Sequence, residues 1–313
     1  MLKLADLAKN QELFSHGHRA CAGCGEALAV RQIMLAAQTA GMPVVTTMAT
    51  GCLEIFSSIY PHSAWQVPMI HTAFETAAST AAGVEAAYRF LRKAGRINED
   101  IAIIAFAGDG GTYDIGLQAL SGALERRHRF LYVCTNNEAY MNTGIQRSSA
   151  TPYGADTTTS PAGKILPGKV QHRKNIMEIV IGHEVPYAAQ TTVFFWRDLV
   201  QKVQKALLTP GPTFLNVLVP CPLGWRHQPG ETVKLSKLAA DTCYWPIYEY
   251  ENGSYKINYE PAKKLPVEEF LKPQGRFRHL FEHPEGTKVI AEIQRYVDEQ
   301  WTILHKRQEC FKQ

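Results

Sequence analysis

Apolar residues recur at helical spacing over 26–40 (EALAVRQIMLAAQTA), and the pattern stops at Gly41-Met42-Pro43, punctuation that closes a helix. PVVTTMA (43–49) reads as a strand, and the Ala-rich TAFETAASTAAGVEAAYRFLRKA (72–94), with basic residues near its end, predicts a long helix. DIAIIAFA (100–107) is an unbroken apolar run, the pattern of a parallel strand covered on both faces. The chain then turns through Gly108-Asp109-Gly110-Gly111, enters a helix expected over 114–126 and returns to strand in RFLYVCT (129–135). YAAQTTV (187–193), WRDLVQKVQKALL (196–208) and TFLNVLV (213–219) repeat the series strand, helix, strand. Such alternation predicts an α/β fold, a doubly wound parallel sheet whose ligands sit at the carboxyl ends of the strands.

Past Cys221 the texture changes. WPIYEYENGSYKINYE (245–260) holds two aromatic strand-like runs around Asn252-Gly253, a hairpin signal, and a final helix is expected near 285–305. The expected organisation is a ligand-binding domain over 1–225 and, over 226–313, a C-terminal extension that packs on the domain or on partner subunits.

Composition narrows the chemistry. The net charge of +4 is spread along 313 residues without dense Lys/Arg runs, so neither nucleic acid nor an anionic membrane is an expected partner. No stretch of about 18 apolar residues occurs, so no membrane span is expected. The first residues, MLKLADLAKNQELFSHGH, lack the continuous apolar run of an export signal, and a cytoplasmic location is expected. Seven cysteines in such a chain point to metal or redox use of a subset rather than to a disulfide framework.

AFAGDGGTYDIG (105–116) sets glycines and one carboxylate where a buried strand gives way to a helix. Glycine lets the backbone approach a phosphate, and a helix start offers free N–H groups with partial positive charge. Asp109 would repel that phosphate unless a divalent cation lay between them; Mg²⁺ takes hard oxygen ligands shared between protein and phosphate. A neighbouring strand end, CTNNEAYMNTGIQ (134–146), supplies Asn136, Asn137 and Asn142. An Asp-Gly followed at this interval by a strand ending in Asn is the pattern of a thiamine pyrophosphate site, although a plain tight turn with capping asparagines has the same spacing.

Cys21 and Cys24 form a CxxC in GHRACAGCGE. No strand pattern precedes them, as a thioredoxin-like pair would need, and no second CxxC completes a zinc ribbon. Cys52 in MATGCLEIF and Cys221 in LVPCPLGW each follow a predicted strand, so a parallel sheet would bring both to the edge that carries the GDGG turn. Four thiolates suffice for a 4Fe-4S cluster. A metal held by Cys21 and Cys24 alone, with Cys52 and Cys221 as core thiols, satisfies the same spacing. Cys134 falls inside a predicted strand, and Cys243 and Cys310 fall in the tail.

Taken in order, GHRACAGCGE, MATGCLEIF, AGDGGTYDIG, NNEAYMNTGIQRSSATP and VPCP resemble the thiamine-pyrophosphate-binding β subunit of the pyruvate:ferredoxin oxidoreductase family, over about residues 14–225. The resemblance implies a thiamine-pyrophosphate-binding fold and oxidative decarboxylation of a 2-oxoacid, with electrons passing through a 4Fe-4S cluster to ferredoxin and coenzyme A usually taking the acyl group. It implies further subunits, α, γ and in some complexes δ. By resemblance, Cys21, Cys24, Cys52 and Cys221 ligate the cluster. Asp109, Asn137 and the Ala139 carbonyl supply Mg²⁺ oxygens, and Gly108, Gly110 and Gly111 cradle the pyrophosphate. Glu26, Thr50, Gly51, Cys52 and Tyr140 line the cofactor pocket; Asn142 faces the substrate, and Asn142 and Cys52 are the expected catalytic positions. Family members activate the cofactor with a glutamate from another chain, and Glu75 in HTAFETAA reads as structural.

His71 and Arg147 are candidates to meet a substrate carboxylate, and the basic loop GKILPGKVQHRKN (163–175) to meet coenzyme A, ferredoxin or a subunit; each also reads as ordinary structure. Related substrates stay open, namely a branched-chain 2-oxoacid, 2-oxoglutarate or oxalate, the last with no acyl group to hand to coenzyme A. So does a zinc-stabilised scaffold subunit without catalysis. A Rossmann enzyme is disfavoured because no G-x-G-x-x-G opens a βαβ unit.

Overall fold

The computed structural model describes residues 4–163 and 167–310. Its centre is one eight-stranded sheet in the order β2-β1-β3-β4-β6-β5-β7-β8, built from Val44–Ala49 (β1), Met69–Thr72 (β2), Ala102–Gly108 (β3), Leu131–Asn136 (β4), Tyr187–Thr192 (β5), Thr213–Leu218 (β6), Ile247–Glu251 (β7) and Ser254–Tyr259 (β8). The first six pair in parallel, and the hairpin β7–β8 adds antiparallel to β5. Residues 226–313 thus contribute two strands to the same sheet.

Every residue of β4, β5 and β6 is buried, as expected for parallel strands with helices on both faces. One face is covered by helices Gly25–Thr39 and Trp196–Leu208, through Val30, Ile33, Met34, Leu199 and Val203. The other is covered by helices Ala77–Lys93, Leu117–Glu125 and Ile176–Ile181, where Ala77, Ala78, Ala81 and Ala82 present a small-residue face that lets helix and strand approach closely. The long C-terminal helix Gly286–Cys310 reaches this face at Leu304 and enters a third core with Trp225, Trp245, Phe270 and Phe277.

Three local expectations are corrected. The helix expected from residue 72 begins at Ala77, because Met69–Thr72 forms the edge strand β2 and the Thr72 hydroxyl donates to the Met48 carbonyl (3.3 Å). The glycine turn does not lead directly into one helix over 114–126: a π-helical turn, Gly110–Ile115, precedes the α-helix Leu117–Glu125. Short helices at Ile176–Ile181, Pro222–Trp225 and Thr232–Asp241 had no predicted counterpart.

The register decides what meets at the carboxyl edge. Met48 lies beside Phe106, Gly108 beside Thr135, and Asn136 beside Leu218. The segments after β1, β3, β4 and β6, which carry Cys52, Asp109, Asn137 and Cys221, therefore leave the sheet side by side.

Candidate active site

At this edge Thr50, Gly51 and Cys52 from the segment after β1, Gly108 at the end of β3 with Gly110 just after it, and Asn137, Ala139, Tyr140 and Asn142 from the segment after β4 line one cavity, joined by Glu26 from the helix Gly25–Thr39. Asp109 and Gly111 lie outside this lining. Asp109 is fully buried, and a Cβ on Gly111 would meet the Phe74 carbonyl (3.1 Å) and Ala107. Phe74, Met141 and Thr143 complete the wall and were not foreseen. Phe74 was hidden because its segment reads as helix; Met141 and Thr143 were within sight, as immediate neighbours of Asn142.

Tyr140 rests on Gly110. A Cβ there would lie 2.5 Å from the tyrosine ring, while the Tyr140 hydroxyl donates to Asp114 Oδ2 (3.1 Å) and the ring packs edge-on to Phe74. Gly110→Ala must therefore push Tyr140 into the cavity. It is expected to weaken thiamine pyrophosphate binding about tenfold or more, the scale of roughly 1.4 kcal/mol within the usual cost of overpacking; a cofactor titration checks this.

Asp109 accepts from the Ser148 hydroxyl at Oδ2 and from the Asn137 backbone N–H at Oδ1 (3.2 Å). Burial pushes its carboxyl up to about 7, against the lowering effect of those two donors. The Asn137 side-chain amide points at Asp109 Oδ1 (3.0 Å) and at the Ala139 carbonyl (2.8 Å). With its nitrogen turned inward it donates to both; with its oxygen inward, three acceptor oxygens face one another. Adjacent oxygens around an octahedral Mg²⁺ stand about 2.9 Å apart, since each bond is about 2.0–2.1 Å. The spacing and the donor set thus fit Mg²⁺. Glu138, between the two, has φ +66°, a left-handed backbone that costs a non-glycine residue about 1–2 kcal/mol.

Glu26 is buried and accepts the Thr135 hydroxyl at Oε1 (2.6 Å), while Oε2 has no protein partner. Burial raises its carboxyl to about 7, so it can hold or release a proton near neutrality beside the cavity.

The cysteine-bearing turns lie at the same edge of the sheet. Cys24 precedes the helix Gly25–Thr39, Cys52 opens the helix Cys52–Ser57, and Cys221 precedes Pro222–Trp225. The Gly25 N–H donates to the Pro220 carbonyl (3.2 Å), and a Cβ on Gly25 would stand 2.7 Å from that oxygen, so the CxxC turn and the Val-Pro-Cys turn touch through backbone. Burial raises the Cys24 thiol to about 12, aided by the charge of Glu26 and of Cys221. Burial also raises Cys52, followed by Glu26 and the other three thiols. Among the described residues no three His, Cys, Asp or Glu side chains close on one point as a single metal ion requires. A four-iron cube spreads its sulfurs more widely than one ion does; Cys21 is exposed in the turn that the Cys24 N–H closes onto the Cys21 carbonyl (3.1 Å), and this turn meets the Val-Pro-Cys221 turn, an arrangement open enough for such a set. Cys134 and Cys243 are buried and Cys310 is exposed.

His71 is exposed, with Nε2 3.1 Å from the Thr50 hydroxyl, and Glu75 is exposed away from the cavity lining. The Arg147 N–H donates to Thr159, outside that lining. The basic loop 163–175 lies partly outside the described residues, at 164–166; its Lys169 is buried and donates to the Ser149 and Thr151 carbonyls.

Residues 49–217 match the family model of the thiamine pyrophosphate enzyme, C-terminal TPP binding domain. The chain is 53% identical to pyruvate synthase subunit PorB of Thermotoga maritima, covering 95% of this chain and 93% of that one. It is 45% identical to ketoisovalerate oxidoreductase subunit VorB of Pyrococcus abyssi, covering 96% and 95%. Among solved structures, a 2-oxoglutarate:ferredoxin oxidoreductase from Magnetococcus marinus shares the fold, with TM-score 0.55 and 18% identity over 73% of this chain and 81% of that one. Carrying a thiamine pyrophosphate domain over more than half its length and matching PorB and VorB subunits end to end, the chain belongs to the β subunits of the 2-oxoacid:ferredoxin oxidoreductases.

Proposed function

We propose that this subunit catalyses the oxidative decarboxylation of pyruvate, passing electrons through a 4Fe-4S cluster to ferredoxin, with coenzyme A receiving the acyl group. The observation that carries the proposal is that Cys52 lines the cavity at the sheet edge where the Cys21–Cys24 turn meets the Val-Pro-Cys221 turn. An electron acceptor held by Cys21, Cys24, Cys52 and Cys221 would border the space in which substrate reacts. Bound thiamine pyrophosphate supplies the means of stabilising charge on the 2-oxo carbon as CO₂ leaves.

The chain's own residues bind and orient. Gly108 and Gly110 admit the pyrophosphate close to the backbone. Asp109, Asn137 and the Ala139 carbonyl would hold Mg²⁺. Glu26 keeps a proton available near the cofactor, and Asn142 offers an amide to the substrate. The shared lining by Phe74, Met141 and Cys52 limits water.

The subunit works with α and γ subunits, in some assemblies δ, in the cytoplasm. No helix among the described residues is long and apolar enough to cross a membrane. The similarity to PorB supports pyruvate, and the similarity to VorB favours a branched-chain 2-oxoacid as the second reading. A panel of pyruvate, 2-oxoisovalerate, 2-oxoglutarate and oxalate, turned over by the purified complex with a viologen acceptor and with or without coenzyme A, decides. Pyruvate should have the highest kcat/KM and require coenzyme A; preference for 2-oxoisovalerate would replace the first reading by the second, and rapid oxalate turnover without coenzyme A would overturn both.

A further inference from the structure

Glu138 contacts no part of the cavity, yet it sits between two of the three proposed Mg²⁺ ligands and is fully buried. Its carboxylate accepts from Tyr244 (2.7 Å), from Arg173 (3.4 Å) and from Arg276. Arg276 is itself buried, with its guanidinium stacked 4.0 Å from the centre of the Trp225 ring. Trp225 in turn donates from Nε1 to the Asn137 carbonyl (2.8 Å). Around the same peptide, the Glu138 N–H donates to Asn136 Oδ1 (3.0 Å), and the Thr151 hydroxyl donates to the Glu138 carbonyl (2.6 Å).

We propose that this buried cluster, supplied largely by Tyr244 and Arg276 of the C-terminal extension, is a clamp that positions the Mg²⁺ ligands through Glu138. The inference rests on the Mg²⁺ reading of the site. Glu138 is strained at φ +66°, and turning either peptide beside it would move Asn137 or Ala139. Fixing the Asn137 carbonyl, both peptide groups of Glu138 and its carboxylate removes that freedom. The Asn137 amide is then left between Asp109 Oδ1 and the Ala139 carbonyl, the two oxygens that would share the metal with it. Glu138, Tyr244 and Arg276 are positioning residues; none of them touches cofactor or substrate.

The test is made on the assembled complex stripped of thiamine pyrophosphate, by calorimetric titration of the cofactor at graded Mg²⁺. Tyr244→Phe removes one donor, and Arg276→Lys keeps the charge while losing the fork and the stacking. Each is expected to raise the half-saturating Mg²⁺ concentration about tenfold or more, the usual cost of disturbing a metal ligand's support. Turnover at saturating Mg²⁺ should recover, a split that general unfolding would not produce. Glu85→Gln is the control: like the clamp variants it disturbs a buried polar pairing, here of Glu85 with Arg89 and His128 away from the cavity, and should stay within twofold. An unchanged Mg²⁺ requirement in both clamp variants overturns the proposal, as does an equal shift in the control. If Arg276→Lys fails to assemble, Tyr244→Phe alone decides. A wild-type complex whose cofactor binding ignores Mg²⁺ would instead remove the underlying reading.

Discussion

Asp109→Ala is expected to lower thiamine-dependent turnover by roughly three orders of magnitude or more, while iron per chain stays at its wild-type value. The carboxylate is the only charged group in the proposed oxygen set, and it lies against Asn137 and Ser148 at the end of β3. Removing it takes away a proposed metal ligand, leaves the Asn137 N–H without its buried acceptor and leaves the Ser148 hydroxyl only Thr151 (3.3 Å), a loss of about 1–3 kcal/mol in stability. Asp109→Asn separates the two effects. It keeps one acceptor oxygen for the Asn137 N–H and turns its amide nitrogen toward the Ser148 hydroxyl, which can accept, but carries no charge, so it should hold the fold and still fail in catalysis. Retained turnover in the Ala variant would remove the Mg²⁺ assignment; retained turnover in Asn alone would mean that hydrogen bonding, not charge, is what the site requires.

Cys221→Ala is expected to strip at least roughly half the iron and the broad absorbance near about 400 nm, and to cut electron delivery to viologen about a hundredfold or more. Cys221 is held by its turn, with the Gly224 N–H directed at Sγ (3.4 Å), and its backbone neighbour Pro220 braces the CxxC turn. Cys134→Ala is the matched control. That thiol is buried in the middle of β4 and faces core residues, so its loss should cost stability but no iron. Equal iron in wild type and Cys221→Ala would limit the metal to the remaining cysteines.

The sequence exposed what depends on one element at a time. Unbroken apolar runs gave β3, β4 and β6 because parallel strands are covered on both faces, and residues following such strands necessarily share an edge. The edge positions of Asp109, Asn137 and Cys221 were legible for that reason. β2 was hidden because four residues carry too little periodicity to separate an edge strand from the start of an Ala-rich helix, and Phe74 was hidden with it. Thr135 as the partner of Glu26, and Tyr244 and Arg276 as partners of Glu138, were out of reach for another reason. Each is a pairing between distant elements, set by the packing of whole layers and leaving no local mark in the chain.

Arg276 stands 138 residues after the carboxylate it neutralises. On the ribosome, the N-terminal two-thirds of the chain can pair its strands long before that arginine emerges. Until then Glu138 lacks one of its two counterions, and the loop ending β4 has reason to stay solvated. On the proposed assignment, the grip on the diphosphate would arise as one of the last events of biosynthesis, and a nascent or truncated polypeptide would compete poorly with finished subunits for the vitamin-derived coenzyme.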